Sequence, residues 1–155
     1  MRKQQQGVSV VVLAIGVAVI IVLAVVVIPT LLPSHLSSSE SSAVASLQTL
    51  NSACATYLIS YGGYPKSLAN LGAGDSVGAK TAALIDSALA SGARDNYLFI
   101  YTPGAIGISG NVLSYTITAN PANPASGGRR FFTDQSGVIR AKIGGPADLS
   151  SSPIA

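Results

Sequence analysis

Between Gln4 and Ser39 the chain carries no Asp, Glu, Lys or Arg, and within that stretch Val8–Leu32 is a predominantly apolar run of 25 residues. As a helix the run would reach ~37 Å, more than the ~30 Å hydrocarbon core of a bilayer. It is also too long for the h-region of a secretory signal, which holds about 7–15 apolar residues. Ala43-Val44-Ala45 has the A-x-A form of a signal cleavage site, but it lies more than ten residues beyond Leu32. The segment therefore reads as a membrane span. Arg2 and Lys3 ahead of it stay on the cytoplasmic side, and residues from about 34 onward lie outside.

The residue before the run is Gly7, and a proline, Pro29, sits deep inside it next to Ile28. In this the chain resembles the type IV pilin and type II secretion pseudopilin family. There a prepilin peptidase cuts after such a glycine and methylates the new amino terminus. An Ile-Pro pair commonly falls at mature residues 21 and 22, and counting from Val8 those positions are Ile28 and Pro29. Two positions depart from the family pattern. Val8 replaces the usual first Phe, and Val12 replaces the usual Glu at mature residue five. That Glu pairs with a neighbouring subunit's amine in the apolar filament core, where an unpaired charge is costly. Val12 thus points to a minor subunit, and it lends some support to an anchored monomer that presents a small binding domain. The resemblance implies the partners: other pilin or pseudopilin subunits, prepilin peptidase, an inner-membrane assembly platform with its ATPase, and membrane lipid. It implies an inner-membrane protein with its domain outside, later drawn into a periplasmic or extracellular filament.

Charge adds little to this. Only 10% of residues are charged, and losing Arg2 and Lys3 lowers the formal +3 to +1, so a high pI gives no case for nucleic-acid binding. The single cysteine, Cys54, excludes an intramolecular disulfide and any cysteine-cluster metal site.

Past the polar SSSESS stretch, apolar residues recur at Ala43, Leu47, Leu50, Cys54, Tyr57, Leu58 and Tyr61, the three-and-four spacing of one helical face. Gly62-Gly63 supplies the stop. The expectation is one long helix over 8–61, bent near Pro29 and Pro33, following a leader at 1–7. A connector at 62–95 follows, with a short helix over Thr81–Ser91 stopped by Gly92. Residues 96–143 read as an antiparallel sheet. Its strands are expected at Tyr97–Thr102, at Val112–Thr118 with Leu113, Tyr115 and Ile117 on one face, at Arg129–Thr133 and at Val138–Lys142. Asp134-Gln135-Ser136-Gly137 suits a turn, and 144–155 reads as a flexible tail. The predicted fold class is α+β, pilin-like, a long helix packed on about four antiparallel strands.

Chemistry is sparse. The sole histidine, His35, has no nucleophile or orienting carboxylate near it in sequence. Cys54 sits among apolar neighbours and reads as a small buried hydrophobe. The aspartates lack metal-loop spacing, so no catalytic residue, metal or cofactor is assigned. One cluster remains: Arg129, Arg130, Arg140 and Lys142, which two strands and a tight turn would gather. Such a patch could meet DNA or another anionic surface through phosphate contacts. No stacking platform accompanies it beyond Phe131 and Phe132, expected to alternate between core and surface, which argues against nucleic acid. Charges on an exposed strand edge that block unwanted sheet addition account for it as well.

Overall fold

The computed structural model describes residues 37–74 and 78–154. Apart from Ser37 they fall in the compact unit Ser38–Ala155. Helix α1 spans 37–61. Its buried face carries Ala43, Leu47, Leu50, Cys54 and Tyr57, the stripe expected from the spacing, joined by Ser46 and Ala53. Leu58 and Tyr61 near its end are about a third exposed. On the solvent side Thr49, Ser52, Thr56 and Ser60 each donate their hydroxyl to the carbonyl four residues back, so this polar stripe is satisfied within the helix. Gly62 ends it at φ +72, its N–H donating to Leu58 O at 2.9 Å. This left-handed stop is one that glycine adopts without steric cost.

The sheet is a meander of six antiparallel strands in chain order: β1 Ala93–Arg94, β2 Tyr97–Pro103, β3 Tyr115–Pro121, β4 Arg130–Asp134, β5 Arg140–Lys142 and β6 Ser152–Pro153. Odd-numbered residues of β2 to β5 face the helix. Tyr97, Phe99, Tyr115, Ile117, Ala119 and Phe131 join Leu47, Leu50 and Cys54 in one core. Period-2 alternation on a sheet covered on one face produces this division.

The expected fold is corrected in two respects. The sheet has six strands, not about four, and the helix among the described residues is 25 residues long, over 37–61. No helix among the described residues is long and apolar enough to cross a membrane. Val8–Leu32, and with it Gly7, Val8, Val12, Ile28, Pro29 and His35, lies outside the described residues. The two additional strands arise from segments without strand periodicity. β1 comes from the expected connector and pairs Ala93 with Leu98. β6 comes from the expected flexible tail and pairs Ala141 with Ser152, while Ile154 N–H donates to Ile139 O at 2.9 Å.

Other local expectations also change. The helix expected over Thr81–Ser91 shrinks to one turn, α2, Ser87–Ala90, capped by Asp86 Oδ1, which accepts from Leu89 N–H at 2.8 Å. The residues ahead of it cannot wind because their amides are used elsewhere. Ala82, Ala83, Leu84 and Ile85 donate to carbonyls of Asn70, Gly72 and Leu71 in and beside the 3-10 turn Leu68–Leu71. Leu113 precedes β3 and is 59% exposed, so it does not share the buried face of Tyr115 and Ile117. Phe131 and Phe132 are both buried, although they point to opposite faces of β4. The turn after β4 does form: Asp134 Oδ1 accepts from Ser136 N–H, and Gly137 sits at φ +75.

Candidate functional site

The basic cluster lies where the helix begins. Register puts the start of β2, the end of β3, the start of β4 and the end of β5 at one end of the sheet, with Tyr97 opposite Pro121 and Arg130 opposite Lys142. Two contacts fix this end to the first turns of α1. Ser42 Oγ donates to Asp95. The Glu40 carboxylate accepts from both the backbone N–H of Arg129, at 2.9 Å, and its Nε, at 2.8 Å. The Glu40 side chain is only 12% exposed, while that of Arg129 stays 43% exposed. The Arg129 guanidinium also lies 5.6 Å from the Phe131 ring centroid, a cation–π contact.

Of the four expected cluster residues, the structure brings three to one face. On β4 and β5 the even-numbered residues point away from the helix, so Arg130, Arg140 and Lys142 share the outer face. Arg129 turns instead toward the helix and its charge is met by Glu40. A groove of about 480 Å³ lies along the end of β5 and β6; of the three outer-face cations only Lys142 borders it, together with Arg129, Ala141, Ile143, Ser152 and Ile154. Arg140 donates from Nη1 to Ser151 O at 3.1 Å, and this ties the outer face to the segment leading into β6. Asp148 near the groove accepts from the Ser150 hydroxyl and backbone N–H. Those two bonds hold its carboxyl below the usual range, with Lys142 adding a smaller pull in the same direction.

The edge-protection account of these charges does not survive the topology. Arg140 and Ala141 are paired on both sides, to β4 and to β6, so an open edge is not what the charges guard. Three contributors to the site carried no local signal: Glu40, Ile143 and the β6 segment. In sequence Glu40 is a solitary acid 89 residues from Arg129.

The opposite end of the domain gathers tyrosines. Tyr101 stacks on Tyr115 at 5.6 Å, and Tyr64 meets Tyr115 edge-on at 4.8 Å. The hydroxyl of Tyr115 donates to Asn51 Oδ1, whose amide in turn donates to Thr133 Oγ1. A hollow of about 470 Å³ beside Tyr57, Tyr61 and Tyr64 also carries Lys66 and Lys80. Burial suppresses ionisation in this cluster: the pKa values of Tyr101 and Tyr115 move well above the usual phenol range, chiefly by desolvation. The Cys54 thiol, fully buried against them, is pushed up to about 12 by the same desolvation. At neutral pH such a thiol is inert, because the thiolate is the reactive form. Among the described residues no group of His, Cys, Asp and Glu is placed to hold a metal ion, and no buried side-chain polar atom lacks a partner.

Comparison of the chain with protein-family models, with curated proteins and with solved structures returned no match.

Proposed function

We propose that this chain is a structural subunit of a type IV pilus or type II secretion pseudopilus, a minor subunit by virtue of Val12. The observation that carries the reading is the register of three sequence features: Gly7 ahead of the apolar run, Val8 as first mature residue, and Ile28-Pro29 at mature positions 21 and 22. A plain anchor has no reason to keep that register. The subunit is stored in the inner membrane by Val8–Leu32 with its domain outside. Prepilin peptidase removes residues 1–7, and an assembly platform driven by its ATPase extracts the subunit into a filament with its neighbours. There the apolar surface stays buried among other subunits, each Å² contributing ~25 cal/mol to cohesion.

A small, closely packed domain that holds its helix to its sheet supports this role, since a subunit must survive extraction without unfolding. A second reading, a bitopic monomer presenting the domain, is favoured by Val12 alone. Intact mass and N-terminal sequence of the membrane-associated protein separate the two. The filament reading expects a chain beginning at Val8 with a methylated amine, and it expects Gly7→Leu to remain unprocessed. A native chain that still begins at Met1, or a Gly7→Leu chain matured as the wild type is, overturns it.

A further inference from the structure

The hollow at the tyrosine end of the domain is formed before anything enters it. Tyr57 and Tyr61 reach it from the last turns of α1, Tyr64 and Lys66 from the segment after the Gly62 stop, Lys80 from the loop before α2, and Asn111 from the loop ahead of β3. Hydrogen bonds stitch these four segments together. Tyr64 N–H donates to Val112 O at 2.9 Å, and Asn111 Nδ2 to Gly62 O at 3.0 Å. The Tyr57 hydroxyl donates to Ala79 O at 2.5 Å, and Asn70 Nδ2 to Lys80 O at 3.4 Å. Gly63 lets two of the walls meet, since a Cβ there would stand 2.8 Å from Asn111 Cβ. A preformed hollow of about 470 Å³, lined by aromatic rings and a few polar groups, has the size and character of a small-ligand site.

The chemistry of its walls defines the ligand. Among the described residues the ion pairs join Arg94 to Asp86 and Asp95, and Arg129 to Glu40. Lys66 and Lys80 therefore bring two positive charges to the hollow with no carboxylate in contact, and they call for an acid. The rings of Tyr57 and Tyr61, 4.6 Å apart between centroids, and of Tyr64 add flat apolar surface, which calls for a ligand with an apolar face. With Asn111 Nδ2 engaged by Gly62 O, Asn111 Oδ1 is left to accept, as are the Tyr61 and Tyr64 hydroxyls, so the ligand also donates. A free inorganic anion leaves the rings uncovered. A simple aromatic acid covers them but brings no hydroxyl for Asn111. A pyranose bearing a carboxylate has all three properties: a CH face, donating hydroxyls along its edge, and a charge.

We infer that this hollow binds an acidic sugar, with Lys66 and Lys80 meeting the carboxylate, the tyrosine rings meeting the CH face, and Asn111 accepting from a ring hydroxyl. The inference goes beyond the proposed filament role and does not rest on it, because every residue it uses lies in the unit Ser38–Ala155.

The test is saturation-transfer NMR titration of the full chain in mild detergent. The probes are galacturonate, glucuronate and N-acetylneuraminate, with galactose and glucose as neutral counterparts and benzoate and inorganic phosphate as simpler acids. At least one sugar acid should bind saturably and about tenfold more tightly than the neutral sugars, with the preference shrinking at high salt. Lys66→Gln with Lys80→Gln, both exposed residues, should abolish that preference, and Tyr61→Ala should weaken binding about fivefold. Lys142→Gln, at the other end of the sheet, should leave it unchanged. No saturable binding of any of the three acids overturns the inference, as does equal affinity for neutral sugars. Benzoate or phosphate binding more tightly than every sugar acid overturns the sugar assignment. Sugar-acid binding that survives the double lysine substitution overturns the site. Each of these failures leaves the filament reading standing, and failed processing at Gly7 leaves the sugar site standing.

Discussion

Alkaline pH should unfold this domain through one thiol and the tyrosines around it. Cys54 is fully buried on α1, and desolvation moves its ionisation from 9.0 to about 12, partly offset by its hydrogen bond with Tyr115. A thiol kept protonated by the fold but free to ionise once unfolded contributes its stability in full below pH 9. That contribution is lost progressively as pH rises from 9 toward 12. With each pKa unit equal to about 1.4 kcal/mol, the loss reaches ~2 kcal/mol at pH 10.5. Against the 5–15 kcal/mol typical of a whole domain this is a large share. Tyr97, pushed up to about 12 mainly by desolvation, and the raised Tyr101 and Tyr115 steepen the fall above pH 10. The measurement is the urea midpoint of the full chain in mild detergent, read by near-UV circular dichroism of the tyrosines from pH 7 to 11. The midpoint should be level to about pH 8.5 and then decline. In Cys54→Ala the decline should start nearer pH 10, because only the phenols remain. A wild-type midpoint unchanged between pH 8.5 and 10.5 would refute the reasoning, as would a Cys54 thiol that titrates below 9.5 in the folded protein.

Two substitutions probe the packing. Phe131→Ala removes a fully buried ring from the strand facing α1 and should cost ~3–5 kcal/mol, measurable as a fall in the same urea midpoint. Gly92→Ala places a Cβ 2.9 Å from Phe99 O at φ +81, whereas Gly110→Ala meets nothing within 4 Å at φ +77. Both bear the conformational penalty of more than ~0.5–1 kcal/mol, but only Gly92→Ala should also loosen β1, seen as faster amide exchange at Phe99, whose N–H donates to Gly92 O.

Much of this molecule follows from local pattern. The three-and-four spacing from Ala43 to Tyr57 fixes which side of α1 is buried, and Gly62 fixes where it stops, because both act within one or two helical turns. Alternation at Tyr115 and Ile117 likewise specifies the buried face of β3, and Asp134 with Gly137 specifies the turn after β4. The apolar, uncharged run at Val8–Leu32 is a property of composition alone.

What tertiary structure decided was every feature that depends on a partner far along the chain. The helical pattern at 81–91 loses most of its length because residues 82–85 find better amide partners in the turn at 68–72. β6 is two residues in a Ser- and Pro-rich tail, and it exists only because β5 offers it an edge. Phe132 is buried on the outer face of the sheet, where alternation alone predicts exposure. The basic residues were visible as a group, but a 14-residue span says nothing of which way each side chain turns. Antiparallel register sends Arg130, Arg140 and Lys142 to one face, while Glu40 draws Arg129 to the other. Local propensity acts over a few residues and is legible in a string; register is set by strand pairings such as Arg130 with Lys142, and the seating of the helix end by contacts such as Ser42 with Asp95 and Glu40 with Arg129, which become visible only once the chain has folded.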